Sequence, residues 1–378
     1  MIKETERTWA EIDLGAIEHN YRTLRAALKP ETKFLGVVKA DAYGHGAKEV
    51  ARVLQDCGCD YLAVAAISEA AALREAGISL PILILGYTAP ENTETLINYG
   101  ITQSVSALTP AREMSERAER LGKKLRVHLA LDSGMGRFGA VCHGGRDATG
   151  EYAEILRLPG LEAEGIFTHF AVSDEPDGEA FTKMQYEAFT AQIERLEGIS
   201  GQKFKIRHCV NSGAMVNCKE MQLDMVRPGV ALYGCYPGAE EKGLFLRETM
   251  ELKTRIAHIK ELLPGDTVSY GRTFTADRPM RIAVIQAGYA DGLHRAGSGK
   301  AEYLLRGRRV KQIGRICMDL CMIDVTDVPE AERGDIVTIF GHDGDAFISV
   351  QEAASAAGTI SYEVMCAVSP RVPRIYKK

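Results

Sequence analysis

Short apolar runs alternate with longer amphipathic stretches from about residue 33 onwards, and this alternation constrains the fold more than any other feature of the sequence. Each run is rich in β-branched or other apolar residues, and each is followed by a stretch with helical spacing, as over residues 46–56. The predicted strands are 33–39, 61–65, 81–85, 101–105, 125–131, 160–168, 204–210 and 223–233.

Continuous apolar strands that alternate with helices indicate a parallel sheet covered on both faces. Eight such units within about 200 residues predict a closed (β/α)8 barrel, a fold whose usual size is about 250 residues. A doubly wound open sheet is the competing architecture, because periodicity alone does not separate the two.

The pattern changes after about residue 240, where candidate strands follow one another through short turns. The turns carry proline or glycine, as in PGD at 264–266, RG at 306–307 and DG at 343–344. We therefore predict a barrel over 13–240 and a mostly-β domain over 241–378. The alternating segment WAEIDL at 9–14 lies outside the eight units, so we expect residues 1–12 to form a strand that joins the second domain.

The composition argues against several classes of partner and location. The 46 Lys and Arg residues against 51 Asp and Glu give a net charge of −5, which disfavours binding to nucleic acid or to an anionic membrane through bulk charge. The longest apolar runs are far shorter than the roughly 20 residues that span a bilayer, and residues 1–9 lack the pattern of a signal peptide. Nine cysteines without a Cys-x-x-Cys pair suit reduced thiols, so we expect a cytoplasmic protein.

The strongest local feature is the segment VVKADAYGHG, in which Lys39 ends an apolar strand and a Gly-rich turn leads into a helix. In a parallel barrel this position is the mouth, where active sites gather. A lysine among valines is partly desolvated, which lowers its pKa and leaves a nucleophilic amine. The alternative is a lysine that extends to solvent at a strand end.

The segment GMGRFG at 134–139 matches the pattern G-x-G-x-x-G after a strand. A dinucleotide-binding fingerprint belongs to the first βα unit and opens a helix, whereas this segment lies in the fifth unit and no helical pattern starts there. We therefore favour a flexible loop at the barrel mouth, in which Arg137 clamps a carboxylate or phosphate. A surface ion pair is the alternative.

Further polar residues follow the last three barrel strands. His169 ends the sixth strand, His208 and Ser212 lie at or after the end of the seventh, and Arg227 lies in the eighth. Each alone is more typical of a satisfied structural residue, but independent surface residues would not collect at one end of a barrel. Ser212 opens a helix, and the backbone N–H groups at 229 and 230 complete a candidate phosphate cradle. None of the histidines has metal-ligand spacing, so we expect no metal.

Nine segments follow one another in a fixed order and spacing: VVKADAYGHG, DSGMGRFG, GIFTHFA, NSG, MVRPGVALYG, VSYG, GYADG, GRICMD and ISYEV. Together they resemble the pyridoxal-phosphate-dependent alanine racemases, and the likeness runs from Trp9 to Tyr376. The resemblance implies an N-terminal (β/α)8 barrel, a C-terminal β domain and a head-to-tail homodimer with shared active sites. It also implies pyridoxal 5'-phosphate as cofactor and racemisation of L- and D-alanine, which supplies D-alanine for cell-wall peptidoglycan.

The resemblance also assigns two bases, which racemisation requires because a proton must leave one face of the α-carbon and return on the other. Lys39 matches the lysine that holds the cofactor covalently and acts as one base. Tyr270 matches the second base, which the other subunit contributes.

The remaining roles come from the same resemblance. Arg227 matches the arginine that faces the pyridine nitrogen, His208 lies behind it, and His169 matches the residue that orients the tyrosine. An arginine does not give up its proton, so the ring nitrogen stays unprotonated and the cofactor is a weakened electron sink. The matches to phosphate contacts are Tyr43, Ser212, Gly229, Val230 and Tyr362. The matches to substrate-carboxylate contacts are Arg137 and the backbone of Met318, with Asp319 nearby.

One position departs from the family pattern, and several readings stay open. Many relatives have a carbamylated lysine seven residues before the arginine that matches Arg137, but this chain has Ala130 there, so a chloride, water or another side chain must support Arg137. The alternative activity is a serine or broad-specificity racemase, although the bulky Tyr362 favours alanine. Basic-amino-acid decarboxylases would lack the VSYG tyrosine as second base, and non-catalytic cofactor carriers would lack the second domain.

Overall fold

A nearly closed barrel of parallel strands forms the first part of the computed structural model, which describes residues 7–236 and 238–378. Strand β1 (Thr8–Asp13) and helix α1 (Leu14–Ala26) precede it. The next strands are β2 (Lys33–Val37), β3 (Tyr61–Val64), β4 (Ile82–Ile84), β5 (Ile101–Val105), β6 (Leu125–Asp132), β7 (Ala140–Val141), β8 (Leu161–Phe167), β9 (Ile206–His208) and β10 (Met225–Val226). The order β10-β2-β3-β4-β5-β6-β8-β9, with β7 beside β6, confirms the predicted (β/α)8 barrel.

Backbone hydrogen bonds bridge β9 and β10, which are the two ends of that order. The N–H of Asp224 donates to the carbonyl of Arg207 at 3.0 Å, and the N–H of Arg227 donates to the carbonyl of Val210 at 2.9 Å. The eighth strand is shorter than the expected 223–233, and Val230–Tyr233 forms a 3-10 helix instead. Proline at 228 has no N–H to offer a strand ladder, so the extended segment ends before it.

Most helices of this part cover the outside of the barrel, whereas the short α2 (Lys39–Tyr43) lies at its mouth. The others are α3 (Ala47–Asp56), α4 (Ile67–Glu75), α5 (Thr93–Asn98), α6 (Leu108–Arg120), α7 (Thr149–Leu156), α8 (Glu179–Ser200) and α9 (Ser212–Asn217). In α3, Val50, Ala51 and Leu54 are buried because their spacing places them on one face. Every residue of β3 and β4 is buried, as expected for parallel strands with layers on both faces.

A second sheet follows, and most of its pairs are antiparallel. Its strands, together with the separate two-stranded pair β12–β13, are β11 (Met250–Leu262), β12 (Thr267–Val268), β13 (Phe274–Thr275), β14 (Met280–Ile285), β15 (Glu302–Leu305), β16 (Arg308–Ile313), β17 (Cys321–Asp324), β18 (Ile336–Asp343), β19 (Ala346–Ile348) and β20 (Arg374–Lys377). Helices α10 (Val350–Ala357) and α11 (Ser361–Ala367), which the sequence analysis did not anticipate, lie between β19 and β20.

Strand β1 lies inside this second sheet, although it precedes the barrel in the chain. It pairs antiparallel with β11, where Thr8 is opposite Thr254, and parallel with β20, where Ala10 is opposite Arg374. Trp9 in β1 is 1% exposed, and the guanidinium carbon of Arg255 lies 5.3 Å from the centre of its ring. The two parts of the chain are therefore joined by sheet pairing as well as by the connection near residue 240.

All nine cysteine thiols are free. Within residues 7–236 and 238–378, no helix is both long and apolar enough to cross a membrane. The same part of the chain holds no cluster of three or more His, Cys, Asp or Glu side chains arranged to bind a metal ion.

Candidate active site

A cavity of about 810 Å³ opens at the carboxyl ends of the barrel strands. Residues from separate strands and loops line it, and nine of them are residues that the sequence analysis singled out: Lys39, Tyr43, Arg137, His169, Ser212, Arg227, Gly229, Val230 and Tyr362. The first eight come from the barrel, and Tyr362 comes from α11 of the second sheet region. The structure therefore brings most of the expected site together at the barrel mouth, the end at which this fold builds its sites.

The backbone after Lys39 adopts an unusual conformation. Residues Ala40, Asp41, Ala42 and Tyr43 all have φ between 52° and 54°, so they form a left-handed helical turn rather than the expected Gly-rich turn. Such a turn costs roughly 1–2 kcal/mol per residue because each Cβ crowds the following carbonyl. The carboxylate of Glu69 accepts a hydrogen bond from the N–H of Ala40 at 2.6 Å and helps to hold the turn.

Lys39 is the one primary amine that lines the cavity among the described residues. Burial lowers its pKa, and the positive charge of Arg137 lowers it further, while Glu69 acts in the opposite direction. A depressed pKa raises the fraction of neutral amine at a given pH, and the neutral amine is the form that acts as a nucleophile or a base.

Ser212 and Gly229 form a cradle at another part of the wall. The oxygen of Ser212 accepts hydrogen bonds from the N–H groups of Gly229 at 2.9 Å and Ala231 at 3.3 Å, which leaves its hydroxyl proton to donate to a ligand. A Cβ at Gly229 would lie 2.5 Å from the hydroxyl oxygen of Tyr43, so a larger residue there would displace that hydroxyl. Burial raises the pKa of Tyr43, which keeps its hydroxyl protonated and able to donate. Converging donors of this kind suit an anion such as a phosphate group.

Arg227 lies deep in the cavity wall and is 3% exposed. Its guanidinium donates to Nδ1 of His208 at 2.7 Å, to Nδ1 of His169 at 3.2 Å and to the carbonyl of Thr168 at 2.8 Å. Burial lowers the pKa of Arg227 to about 10, so it remains a cation near neutral pH. Burial and the charge of Arg227 hold the pKa of both histidines well below the usual value, so their rings are neutral. His208 contacts Arg227 from behind and does not itself line the cavity.

Arg137 lies on an exposed loop at the rim of the cavity. The carboxylate of Asp132 accepts hydrogen bonds from the N–H groups of Gly134 at 2.8 Å and Gly136 at 3.1 Å, and so shapes the loop. Ala130 is buried in β6, and its carbonyl accepts a hydrogen bond from the hydroxyl of Tyr152. Its methyl group offers Arg137 no charge and no hydrogen bond.

The expected site residues of the second sheet are located elsewhere. Among the described residues that line the cavity, Tyr270, Met318 and Asp319 are not found. The side chains of Tyr270 and Met318 are 69% and 54% exposed, which is high for residues of their size. The carboxylate of Asp319 pairs with Arg371 at 2.9 Å instead of facing an open pocket.

Several residues at the site escaped the sequence analysis. Glu69 holds the left-handed turn, the hydroxyl of Tyr233 donates to the carbonyl of Val37 at 2.9 Å, and His128 bonds to His208 at 2.8 Å. Each lies within a helix, a strand or a short 3-10 turn whose local pattern gives no sign of a polar role. Pairing information between distant positions would have been needed to find them.

Taken together, the cavity offers a neutralisable amine, a buried cation, a set of anion donors and a rim arginine. It can bind an anionic, planar or extended ligand and remove or deliver a proton at the amine of Lys39. Of the two residues that the sequence analysis assigned as bases, only Lys39 is among the described residues that line it.

Comparisons with known proteins give matches to one family over nearly the whole chain. The family model "Alanine racemase, N-terminal domain" matches residues 12–237, and the model "Alanine racemase, C-terminal domain" matches residues 249–376. A protein named alanine racemase from Desulfosudis oleivorans is 45% identical over 376 residues, covering 97% of this chain and 96% of the relative.

Solved structures give the same result. An alanine racemase from Clostridium difficile 630 superposes with a TM-score of 0.93 at 40% identity and covers 99% of this chain and 97% of its own. The alanine racemase from Bacillus anthracis with bound L-Ala-P superposes with a TM-score of 0.87 at 35% identity, covering 99% and 95% respectively.

Proposed function

Because this chain belongs to the alanine racemase family of isomerases, we propose that it interconverts L- and D-alanine with pyridoxal 5'-phosphate as cofactor and with two bases. The observation that carries the proposal is the single cavity into which Lys39, Arg227 and the Ser212–Gly229 cradle all face. One cavity thus offers an attachment point for an aldehyde, a partner for a ring nitrogen and donors for a phosphate.

The residues present fit the cofactor. Lys39 would hold it covalently, and the phosphate contacts would come from Tyr43, Ser212, Gly229, Val230 and Tyr362. The close approach of Tyr43 to Gly229 supports this, because the N–H of Gly229 donates to the Ser212 oxygen and the hydroxyl donors of Tyr43 and Ser212 thus lie at the same segment. When bound, the cofactor supplies an electron-accepting ring that lowers the energy of a carbanion at the α-carbon.

Arg227 would tune that ring through its nitrogen. A guanidinium donates hydrogen bonds and stays charged, so it does not protonate the ring and it restrains side reactions. His208 supports this role as an acceptor behind Arg227, and His169 lies on its other side, from where it would orient the catalytic tyrosine.

Two bases would exchange the α-proton. Lys39 acts on one face, and burial favours its neutral form. Tyr270 acts on the other face and is contributed by a second copy of the chain, so we infer a head-to-tail homodimer with shared sites. The exposure of Tyr270 and Met318 in the single chain supports this, since large side chains are commonly buried when a partner covers them.

The substrate carboxylate would bind Arg137 of one subunit together with the backbone of Met318, near Asp319, of the other. With Ala130 behind it, Arg137 would need an anion or a water as support. Tyr362 narrows the cavity and favours a substrate side chain as small as a methyl group. A serine or broad-specificity racemase is the alternative, because one bulky residue does not fix the preference.

The reaction would supply D-alanine for cell-wall peptidoglycan. The nine free cysteines support a reducing, cytoplasmic location. Chiral chromatography after parallel incubation with L-alanine and L-serine tests the proposal, with the Lys39→Ala variant as a blank. We expect D-alanine to form faster than D-serine. A faster serine reaction would replace the proposal by the alternative, and no D-isomer from either would refute both.

A further inference from the structure

A chain of hydrogen bonds runs from Arg227 at the cavity into the interior of the barrel. Nη1 of Arg227 contacts Nδ1 of His208 at 2.7 Å, and Nε2 of His208 contacts Nδ1 of His128 at 2.8 Å. Nε2 of His128 contacts the carboxylate of Glu164 at 3.4 Å, and the hydroxyl of Tyr61 donates to the same carboxylate at 2.7 Å. Both histidines are fully buried.

The first link determines which arrangement of protons satisfies every hydrogen bond along the chain. A guanidinium has donors and no acceptor, so Nδ1 of His208 must accept and Nε2 must carry the proton. That proton faces Nδ1 of His128, which must also accept, and the proton of His128 therefore lies on Nε2 and faces Glu164. A doubly protonated His128 is incompatible with this geometry, because its Nδ1–H would face the Nε2–H of His208.

The chain ends on an anion. Hydrogen bonds from His128 and Tyr61 lower the pKa of Glu164 to about 2, so the carboxylate is ionised. Among the described residues, no carboxylate lies within salt-bridge distance of Arg227, so Glu164 is the anion to which this hydrogen-bond chain connects it.

The residues around the two histidines leave room for this hydrogen-bond chain and pack against it. The ring of Phe167 stacks on His208 with centroids 4.9 Å apart, and the guanidinium carbon of Arg227 lies 5.5 Å from the centre of the same ring. A Cβ at Gly165 would lie 2.8 Å from Nδ1 of His128, so the ring fits because residue 165 has no side chain.

We propose that Glu164 and His128 are positioning residues, which orient the ring protons so that His208 always presents an acceptor to Arg227. Without the acceptor at Glu164, His128 can move its proton to Nδ1, and His208 must then turn a donor towards Arg227. Arg227 would lose its partner and shift in the cavity. The inference deepens the proposed function, because it gives these residues a part in presenting Arg227 to the cofactor.

The first test uses the unaltered protein without cofactor. In protein labelled with 15N-histidine, long-range 15N–1H spectra report which ring nitrogen of each histidine carries the proton. We expect both His128 and His208 to be neutral with the proton on Nε2 near pH 7. A proton on Nδ1 of either ring, or a doubly protonated His128, would overturn the proposal. This readout is independent of any racemase activity, so it separates the failure of this inference from the failure of the proposed function.

The second test uses variants of one strand. Glu164→Leu removes the acceptor, and Glu164→Gln keeps an acceptor without the charge. Glu162→Gln is the control, because Glu162 lies on the same strand, β8, but takes no part in the hydrogen-bond chain and pairs with Lys205 at 3.2 Å. We expect Glu164→Leu to mix the tautomers of His128 and to lower kcat about tenfold with KM within twofold of the wild-type value, since the residue touches no substrate.

The glutamine variant decides the matter if the leucine variant does not fold. We expect Glu164→Gln to restore the Nε2 tautomers and most of kcat, with an upfield shift of the His128 Nε2 proton as its hydrogen bond weakens. Glu162→Gln should match the wild type in every readout. An unchanged His128 proton in Glu164→Gln, or an unchanged kcat in a folded Glu164→Leu variant, would refute the positioning role.

Discussion

Tyr43 and Gly229 approach each other so closely that a Cβ at residue 229 would lie 2.5 Å from the tyrosine hydroxyl oxygen. Tyr43 lies at the end of the left-handed turn that begins after Lys39, whereas Gly229 follows the last barrel strand. Because β10 and β2 are paired neighbours in the barrel, the contact ties the segment that carries the reactive lysine to the cradle beside it.

The first prediction follows from this contact. In Gly229→Ala, the tyrosine hydroxyl must move away, and we expect the dissociation constant for pyridoxal 5'-phosphate to rise at least about tenfold, which corresponds to about 1.4 kcal/mol. Equilibrium dialysis against the cofactor measures it. Gly198→Ala is the matched control, because nothing lies within 4 Å of its Cβ. Equal affinities in the two variants would show that the close contact has no part in the cradle.

The second prediction concerns the attachment point. Borohydride reduction of the protein with its cofactor should add the cofactor mass to the peptide that contains Lys39, because burial favours the neutral, reactive amine there. Lys39→Ala should lose this adduct, whereas Lys33→Ala, a change at a more exposed lysine of the preceding strand, should keep it. Peptide mass spectrometry provides the measurement, and an adduct on another lysine in wild-type protein would contradict the assignment.

The third prediction concerns the second base. Tyr270→Phe removes one hydroxyl from a side chain that is 69% exposed, so fold and cofactor attachment should be unchanged. We expect the rate of L- to D-alanine conversion to fall about 10²–10⁴-fold, the usual contribution of a general base. Loss of less than about tenfold would mean that Tyr270 is a packing residue.

The fourth prediction tests the shared site. Lys39→Ala and Tyr270→Phe are each expected to be inactive, but a mixed dimer contains one site with both bases. Equal mixing with free subunit exchange should restore about a quarter of wild-type activity, as expected for a two-fold dimer. Lys39→Ala mixed with the double variant that carries both changes is the control, because no site in that mixture is intact. Activity that stays at the control level after exchange is demonstrated would rule out the shared site.

The fifth prediction concerns pH and stability. Burial raises the pKa of Glu248 to about 7, above its ordinary value of 4.5, although its carboxylate accepts a hydrogen bond from the N–H of Val350 at 3.0 Å. Between these two pKa values the folded protein binds more protons than the unfolded chain, so the stabilisation is complete below the lower value and is lost as pH rises through the higher one.

Replacement of this carboxyl should flatten that dependence. In the wild type, the free energy of unfolding should fall as pH rises from about 4.5 to about 8. In Glu248→Gln we expect this fall to be smaller by about 1–3 kcal/mol. Urea denaturation at several pH values measures it, and Glu240→Gln, a change at an exposed neighbour, is the control. A wild-type slope in Glu248→Gln would indicate that another group titrates.

The strands of the barrel could be predicted from sequence because each is a buried apolar run with a helix after it, and Ile101–Val105 agrees residue by residue. The turn after Lys39 could not, because alanine and tyrosine disfavour left-handed backbone and aspartate adopts it only as a single residue, so that tertiary contacts such as that with Glu69 impose it there. Helix α10 was missed because its short, alanine-rich run lies among strands and turns.

The site was predictable to a similar degree. Lys39, Arg227 and Ser212 each follow a barrel strand, and the carboxyl ends of parallel strands meet at one mouth. His128 and Glu164 lie in mid-strand, where the sequence shows a buried pattern and nothing of the long-range pairing that joins them. A polar residue in a strand interior becomes interpretable only when its partner on the neighbouring strand is known.

The place of β1 in the second sheet has a consequence for the order of events during synthesis. Residues 8–13 leave the ribosome before the barrel strands, yet their partners are at residues 250–254 and 374–377. The barrel can therefore fold while both edges of β1 are still unpaired. Strand β1 must then remain unpaired with other strands until the second sheet has been synthesised. If residues 8–13 are deleted, the barrel should still form, but the second sheet should lack one of its inner strands.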